Sequence, residues 1–238
     1  MPRPRRHRAL SLLAFALVTP LLATGCGGEE ADKPAAKSPT EVMETAKKNF
    51  DDASSVQIAL TTKSEPSGGN GVLGATGVLT HDPAFKGEVN MVLNSVTLTA
   101  PVTAVGGKVY AKLPFTTKYA DFDPSEYGAP DPADFADPTN GLSGLLTKME
   151  DLKKGKETRS SDMILTSYSG TLPGAAVKKI IPSAVAKESY ATEVGVDEKG
   201  FARSVKVTGP FFAGDDDVTY NVKFSEYDKG AEITAPTG

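Results

Sequence analysis

Val96-Thr-Leu-Thr-Ala-Pro-Val-Thr-Ala-Val105, then Gly106-Gly107, then Lys108-Val-Tyr-Ala-Lys-Leu113: the reading of this run decides the fold. Two stretches of strand-forming residues parted by two glycines predict a β-hairpin, because a two-residue turn needs backbone angles that glycine adopts at little cost. The pattern continues upstream. Val89, Met91 and Leu93 alternate with Glu88 and Asn90, so Phe85–Leu93 has one apolar and one polar face. Val72–Thr80 is rich in Gly and Thr, and Val56, Ile58 and Leu60 alternate with Gln57 and Ala59. Short strands joined by tight turns predict an antiparallel meander.

Downstream the texture changes. Asp121–Gly141 is acidic, proline-rich and aromatic, and its Asp-Pro pairs at 123–124, 131–132 and 137–138 favour turns. Leu142, Leu145, Leu146 and Met149 then fall at helical spacing and predict an amphipathic helix ending near Gly155. Strands resume at Lys156–Ser160 and Met163–Leu172, and a short helix is expected over Ala175–Ile181. Ser189–Val196, Ala202–Thr208 and Val218–Tyr227 read as three closing strands. At the front, Thr40 is the expected cap of a helix running to Asp52, with Glu41 and Glu44 in its first turn and Val42, Met43, Ala46 and Phe50 as its apolar stripe. The fold class is therefore α+β. About ten strands are too many for a small flat sheet, so a single strongly curved antiparallel sheet, a half-barrel with helices on its concave side, is expected ahead of a sandwich.

The N-terminus carries a different message. Arg3, Arg5, Arg6 and Arg8 precede an apolar run from Ala9 to Ala23, which reads as a secretory signal over residues 1–25. It ends in Leu21-Leu22-Ala23-Thr24-Gly25-Cys26 and holds the chain's single cysteine. Gly-Cys at that place resembles a bacterial lipobox, although Leu22 sits one residue early. On that reading Cys26 takes a diacylglycerol, residues 26–39 form a disordered tether, and 40–238 form the working domain on the outer face of the cytoplasmic membrane. No later segment reaches the roughly 18 apolar residues that cross a bilayer.

The chain carries a net charge of −4, and losing the four signal arginines makes the remainder more acidic. That argues against nucleic acid as a partner. Of the two histidines, His7 leaves with the signal and His81 stands alone at a strand end, so neither a zinc site nor a serine triad can be assembled in the usual way. Asp121-Phe-Asp123-Pro-Ser125 opens like a calcium loop but has Glu126 and Pro132 where Gly and Glu are needed. Asp215-Asp216-Asp217 reads as a solvated turn. No catalytic residue, metal or cofactor is expected.

What stands out is apolar surface with few large residues to fill it. The strands offer Val89, Met91, Leu93, Leu98, Val102, Val109 and Leu113; the helices offer Leu142, Leu145, Leu146, Met149, Ile180 and Ile181. Periodicity alone fits an ordinary core. A curved sheet that does not close on its helices would instead leave a lipid-sized pocket lined by these residues, expected to be larger than small-molecule pockets of about 300–1,000 Å³.

Three stretches carry a family likeness: Asp137-Pro-Thr-Asn-Gly-Leu-Ser-Gly-Leu-Leu146, Tyr168-Ser-Gly-Thr-Leu-Pro-Gly-Ala-Ala-Val177, and Phe224-Ser-Glu-Tyr227. With them the chain resembles the LprG/LppX lipoproteins of mycobacteria and related actinobacteria. The resemblance implies a half-barrel of the LolA/LolB lipoprotein-carrier kind, acylated glycolipids or other long-chain lipids as ligand, transfer towards the outer envelope, and a major-facilitator efflux pump as partner. The alternative function is a scaffolding lipoprotein that binds a protein through the acidic 121–139 loop, whose neighbourhood holds Phe115, Tyr119, Phe122, Tyr127 and Phe135.

Overall fold

A computed structural model describes residues 37–64, 70–93, 95–114, 116–127, 129–160, 162–212 and 216–237. The expected signal peptide over 1–25, Cys26, most of the expected tether, Phe115 and Asp215 lie outside them.

The first helix, α1 (Pro39–Asp52), is capped two residues before the expected Thr40. Ser38 is the N-cap: its hydroxyl accepts from the Glu41 amide, while the Glu41 carboxylate accepts from the Ser38 amide at 2.7 Å. This reciprocal pair satisfies two amides that the helix itself leaves unbonded, and Pro39 loses nothing in a first turn that needs no donor. Met43, Ala46 and Phe50 are buried from this helix, and Phe50 meets Phe224 edge-on at 5.4 Å.

Eleven strands form one antiparallel sheet in the order β6-β5-β4-β3-β2-β1-β11-β10-β9-β8-β7. The first meander comprises β1 (Ser55–Thr62), β2 (Gly71–Thr80), β3 (Ala84–Leu93), β4 (Val96–Val105), β5 (Lys108–Ala111) and β6 (Ala120–Asp121). The second comprises β7 (Glu150–Ser160), β8 (Met163–Pro173), β9 (Ser189–Asp197), β10 (Ala202–Gly209) and β11 (Val218–Ser225). Pairing of β1 with β11, with Ile58 opposite Phe224, joins the two into the expected half-barrel. Gly106 and Gly107 both have positive φ, at 62° and 70°, so the turn that fixes the β4–β5 register uses the freedom only glycine offers cheaply.

The strands alternate as a one-sided sheet must. On β9, Tyr190, Thr192, Val194 and Val196 are buried while Ser189, Ala191 and Glu193 are exposed. Tyr190 also ties the closing loops together: its hydroxyl accepts from the Val185 amide at 2.7 Å and donates to the Pro210 carbonyl at 2.8 Å. Two α-helices lie in the connections, α2 (Leu142–Leu146) and α3 (Gly174–Val177), with 3-10 turns at Pro124–Tyr127 and Pro132–Ala136.

Two expectations are corrected. The helix from Leu142 stops at Leu146, and β7 begins at Glu150 instead of Lys156. The charged run 150–156 imitates the solvent face of a helix because β7 is an edge strand exposed at every residue but Leu152, so it has no alternation to betray it. The other short helix is α3, Gly174–Val177, followed by turns that carry the chain through Ile181. The eleventh strand, β6, is two residues long and overlaps only the first residue of the stretch read as loop, Asp121.

Candidate functional site

A cavity of about 390 Å³ lies between the buried face of the sheet and the segments packed over it. Its floor is set by strand parity. Ile58 and Leu60 from β1, Ala75 from β2, Val89, Met91 and Leu93 from β3, Val102 from β4 and Val109 from β5 project into it. The second meander adds Leu172, Thr192, Val194, Val205, Val207, Tyr220, Val222 and Phe224. The cover is made of Phe122, Tyr127, Pro130 and Phe135, of Leu142, Leu145 and Leu146 on α2, of Met149, and of Ile180 to Ser183 after α3.

Among the described residues no charged side chain lines this space. Its polar groups are largely spent on the backbone: the Tyr220 hydroxyl donates to the Val72 carbonyl at 2.7 Å, and the Thr192 hydroxyl to the Tyr190 carbonyl at 3.1 Å. The walls therefore offer dispersion contact and little else, which suits hydrocarbon. The cavity falls inside the ordinary small-ligand range, smaller than the sequence leads one to expect. Aromatic rings explain the difference: Phe85, Phe122, Phe135 and Phe211 all reach the cavity, and Phe122 stacks on Tyr127 at 5.0 Å with 6° between the rings.

Leu98 and Leu113 do not line the cavity. Leu98 sits opposite Met91 and packs, half-buried, against the core; Leu113 lies beyond the end of β5 and is exposed. His81 packs edge-on against Phe50 at 5.5 Å, away from the cavity. Asp123 accepts from the amide and hydroxyl of Ser125, which hold its carboxyl below the usual range, and Asp121 pairs with Lys108 at 3.5 Å. Both thus serve the local chain. Among the described residues no group of three or more His, Cys, Asp or Glu could hold a metal ion, and no helix is long and apolar enough to cross a membrane.

This architecture has a family. The model of the LppX_LprAFG lipoproteins matches residues 38–234. The chain belongs to that family. Two solved structures share its fold. LprF from Mycobacterium bovis aligns with a TM-score of 0.68 at 14% identity, covering 84% of this chain and 97% of that one. LppX from Mycobacterium tuberculosis aligns with a TM-score of 0.60 at 14% identity, covering 82% and 98%. No curated protein matches by sequence. In this LppX_LprAFG lipoprotein the second meander contributes half the floor, yet sequence reading names none of its strand residues. Period-two alternation on β9 to β11 is the signal that marks them.

The buried tyrosines give the lipoprotein an alkaline weak point. Burial pushes the Tyr220 phenol up to about 12, and burial also raises Tyr227, against the pull of Arg203. A folded-state value above the unfolded one, about 10, means the folded chain holds its protons longer. The stability this contributes is intact below about pH 10 and falls as pH climbs through about 12. Circular dichroism and tyrosinate absorbance should therefore change together above about pH 10, with the buried phenols ionising only as the sheet opens.

Proposed function

We propose that this chain binds the acyl part of a long-chain lipid, acylated glycolipids included, and carries it towards the outer cell envelope while tethered through Cys26 to the outer face of the cytoplasmic membrane. The observation that carries the reading is the cavity wall, mostly aliphatic and aromatic and, among the described residues, without a charged side chain. A methylene left in water costs about 0.8 kcal/mol, so a hydrocarbon tail does not cross an aqueous space unaided; an apolar cavity on a tether removes that cost without any reaction. Membership of a lipoprotein family supports the anchor. A volume of about 390 Å³ suits the tails and leaves a large head group outside. A major-facilitator efflux pump would complete the export step.

The acidic loop fits this reading better than it fits a docking site for a protein. Phe122, Tyr127 and Phe135 turn towards the cavity and form its lip. Deleting the loop should release bound lipid; loss of a pulled-down protein with lipid retained would favour docking instead.

Native mass spectrometry of the chain purified from an actinobacterial host tests the proposal. A discrete added mass, removable by organic solvent and shown by fragmentation to be acylated, is expected. A bare polypeptide mass with no uptake of added glycolipid would overturn it.

A further inference from the structure

The face of the sheet turned away from the apolar cavity carries a second recess, of about 400 Å³. Strand register places its floor. Thr61, Gly74, Asn90 and Thr99 are successive partners across β1, β2, β3 and β4, and directly opposed residues share a face. Thr76 and Glu88 are opposed on β2 and β3 in the next row of that face. All six line the recess, whereas the chain neighbours Val89 and Met91 line the apolar cavity. Leu60 and Ala75 touch both spaces, so a single layer of sheet is the wall between them. The hollow centres on Gly74, which follows a break in the β2–β3 register and has no side chain to fill it. A Cβ there would stand 2.9 Å from the Leu60 carbonyl oxygen.

The groups around this hollow are polar and mostly unspent. Thr62 at its rim donates its hydroxyl to the Thr219 carbonyl at 2.9 Å. Among the described residues nothing bonds the hydroxyls of Thr61, Thr76 and Thr99 or the carboxylate of Glu88. Asn90 Oδ1 is shut off from solvent without a donor, an unfavourable state that a donating ligand relieves once the amide turns over. These groups discriminate among ligands. An anion meets the Glu88 carboxylate with only Lys63 to offset it. A metal ion finds a single carboxylate. An extended peptide has no edge to join, because β2 and β3 are paired on both sides. A hydrocarbon strips water from the hydroxyls and the carboxylate and returns no hydrogen bond. A sugar ring carries several hydroxyls, each able to donate to a carboxylate or amide oxygen while accepting from a threonine.

We infer that this recess binds a sugar ring of a neutral glycan, held by hydrogen bonds from its hydroxyls to Glu88 and Asn90 and from the threonine hydroxyls to its oxygens. The sheet stands between the recess and the apolar cavity, so the glycan is a ligand separate from anything the cavity holds, and the inference does not depend on the lipid-carrier reading.

Sugar titrations of the purified chain test this, followed by NMR at the Asn90 side-chain amide and the methyls of Thr61, Thr76 and Thr99. D-Glucose, D-galactose, D-mannose and N-acetyl-D-glucosamine are each added to about 50 mM, about tenfold above the dissociation constant that a few neutral hydrogen bonds give. Saturable shifts at these signals with at least one sugar are expected. Asn90→Ala and Glu88→Gln should each weaken that binding about tenfold. Thr76→Phe puts a ring into the recess and should abolish it. None of the three residues lines the apolar cavity, so lipid retention by each variant should match the wild type. The absence of a saturable shift with all four sugars overturns the inference. So do shifts that glycerol reproduces at equal hydroxyl concentration, and binding that survives Thr76→Phe. Preloading the chain with monogalactosyl dipalmitoylglycerol supplies the remaining arm. An unchanged sugar titration is expected; competition would assign the recess to the head of the bound lipid and overturn the separate ligand.

Discussion

Ala75→Phe combined with Val205→Phe is expected to abolish lipid retention while leaving the fold at least as stable as before. Ala75 on β2 and Val205 on β10 both line the cavity, from the two different meanders, and both are only half-buried by their protein neighbours. Their side chains end in open space. A benzyl group at each place enters that space instead of displacing packed atoms, so the usual penalty for overfilling a core is small. The apolar surface newly buried favours the folded state at about 25 cal/mol per Å². With about 390 Å³ available, two added rings leave no continuous channel for a chain of methylenes. Bound lipid in native mass spectra should fall at least tenfold, and the urea midpoint should stay or rise. Thr76→Phe is the control: Thr76 is the exposed neighbour on the opposite face of β2, and the same ring there should leave retention unchanged. Retention by the double variant would show that the ligand sits elsewhere.

The sheet was legible where local chemistry and burial agree. Gly106-Gly107 fixes one hairpin by backbone freedom, and alternation on β3 fixes which face is buried. It failed where they part. Ser38 and Thr40 are both plausible caps by composition; the choice falls to Ser38 because Glu41 stands three residues after it and Pro39 directly after it. In the segment 150–156 Leu152 alone turns inward, so a strand there leaves no period to read. A two-residue strand such as β6 is decided by its neighbour, since Tyr110 opposite Asp121 exists only once the acidic segment has folded back.

The cavity was legible in part for the same reason. Val89, Met91, Leu93, Val102 and Val109 come from parity, Leu142, Leu145, Leu146 and Met149 from a helical stripe, and Ile180 and Ile181 from the short helix expected over 175–181, and all reach the cavity. Parity chooses a face and says nothing about distance along the strand. Leu98 shares its face with Met91, yet lies at a part of the sheet that the cavity does not reach. Leu113 follows the last paired residue of β5, where parity no longer holds. Tyr220, Val222 and Phe224 were invisible as lining because their place depends on β11 pairing with β1, a contact between the two ends of the domain.

Gly87→Val should cost about 3 kcal/mol of stability, the upper range for overfilling a packed site, and the reason lies in one ring. Gly77 and Gly87 sit directly opposite each other on β2 and β3. Phe85, almost fully buried, lays its ring across both. A Cβ on Gly87 would stand 2.2 Å from the Thr76 carbonyl oxygen and 2.8 Å from the Phe85 ring, and one on Gly77 would stand 2.6 Å from the same ring. The ring thus occupies the room that two side chains would take, and glycines at that pair also let the sheet curl. Phe85→Ala alone should cost about 3–5 kcal/mol by opening a hole. The two changes together should cost less than their sum by more than about 1 kcal/mol, because the new valine partly refills the hole. Recovery stays partial, since the Thr76 carbonyl remains in place. Urea unfolding of the four proteins measures the coupling directly. Strict additivity would mean that the backbone contact alone excludes a side chain at residue 87; strong coupling would mean that the ring, which also lines the cavity, is what the two glycines are there to admit.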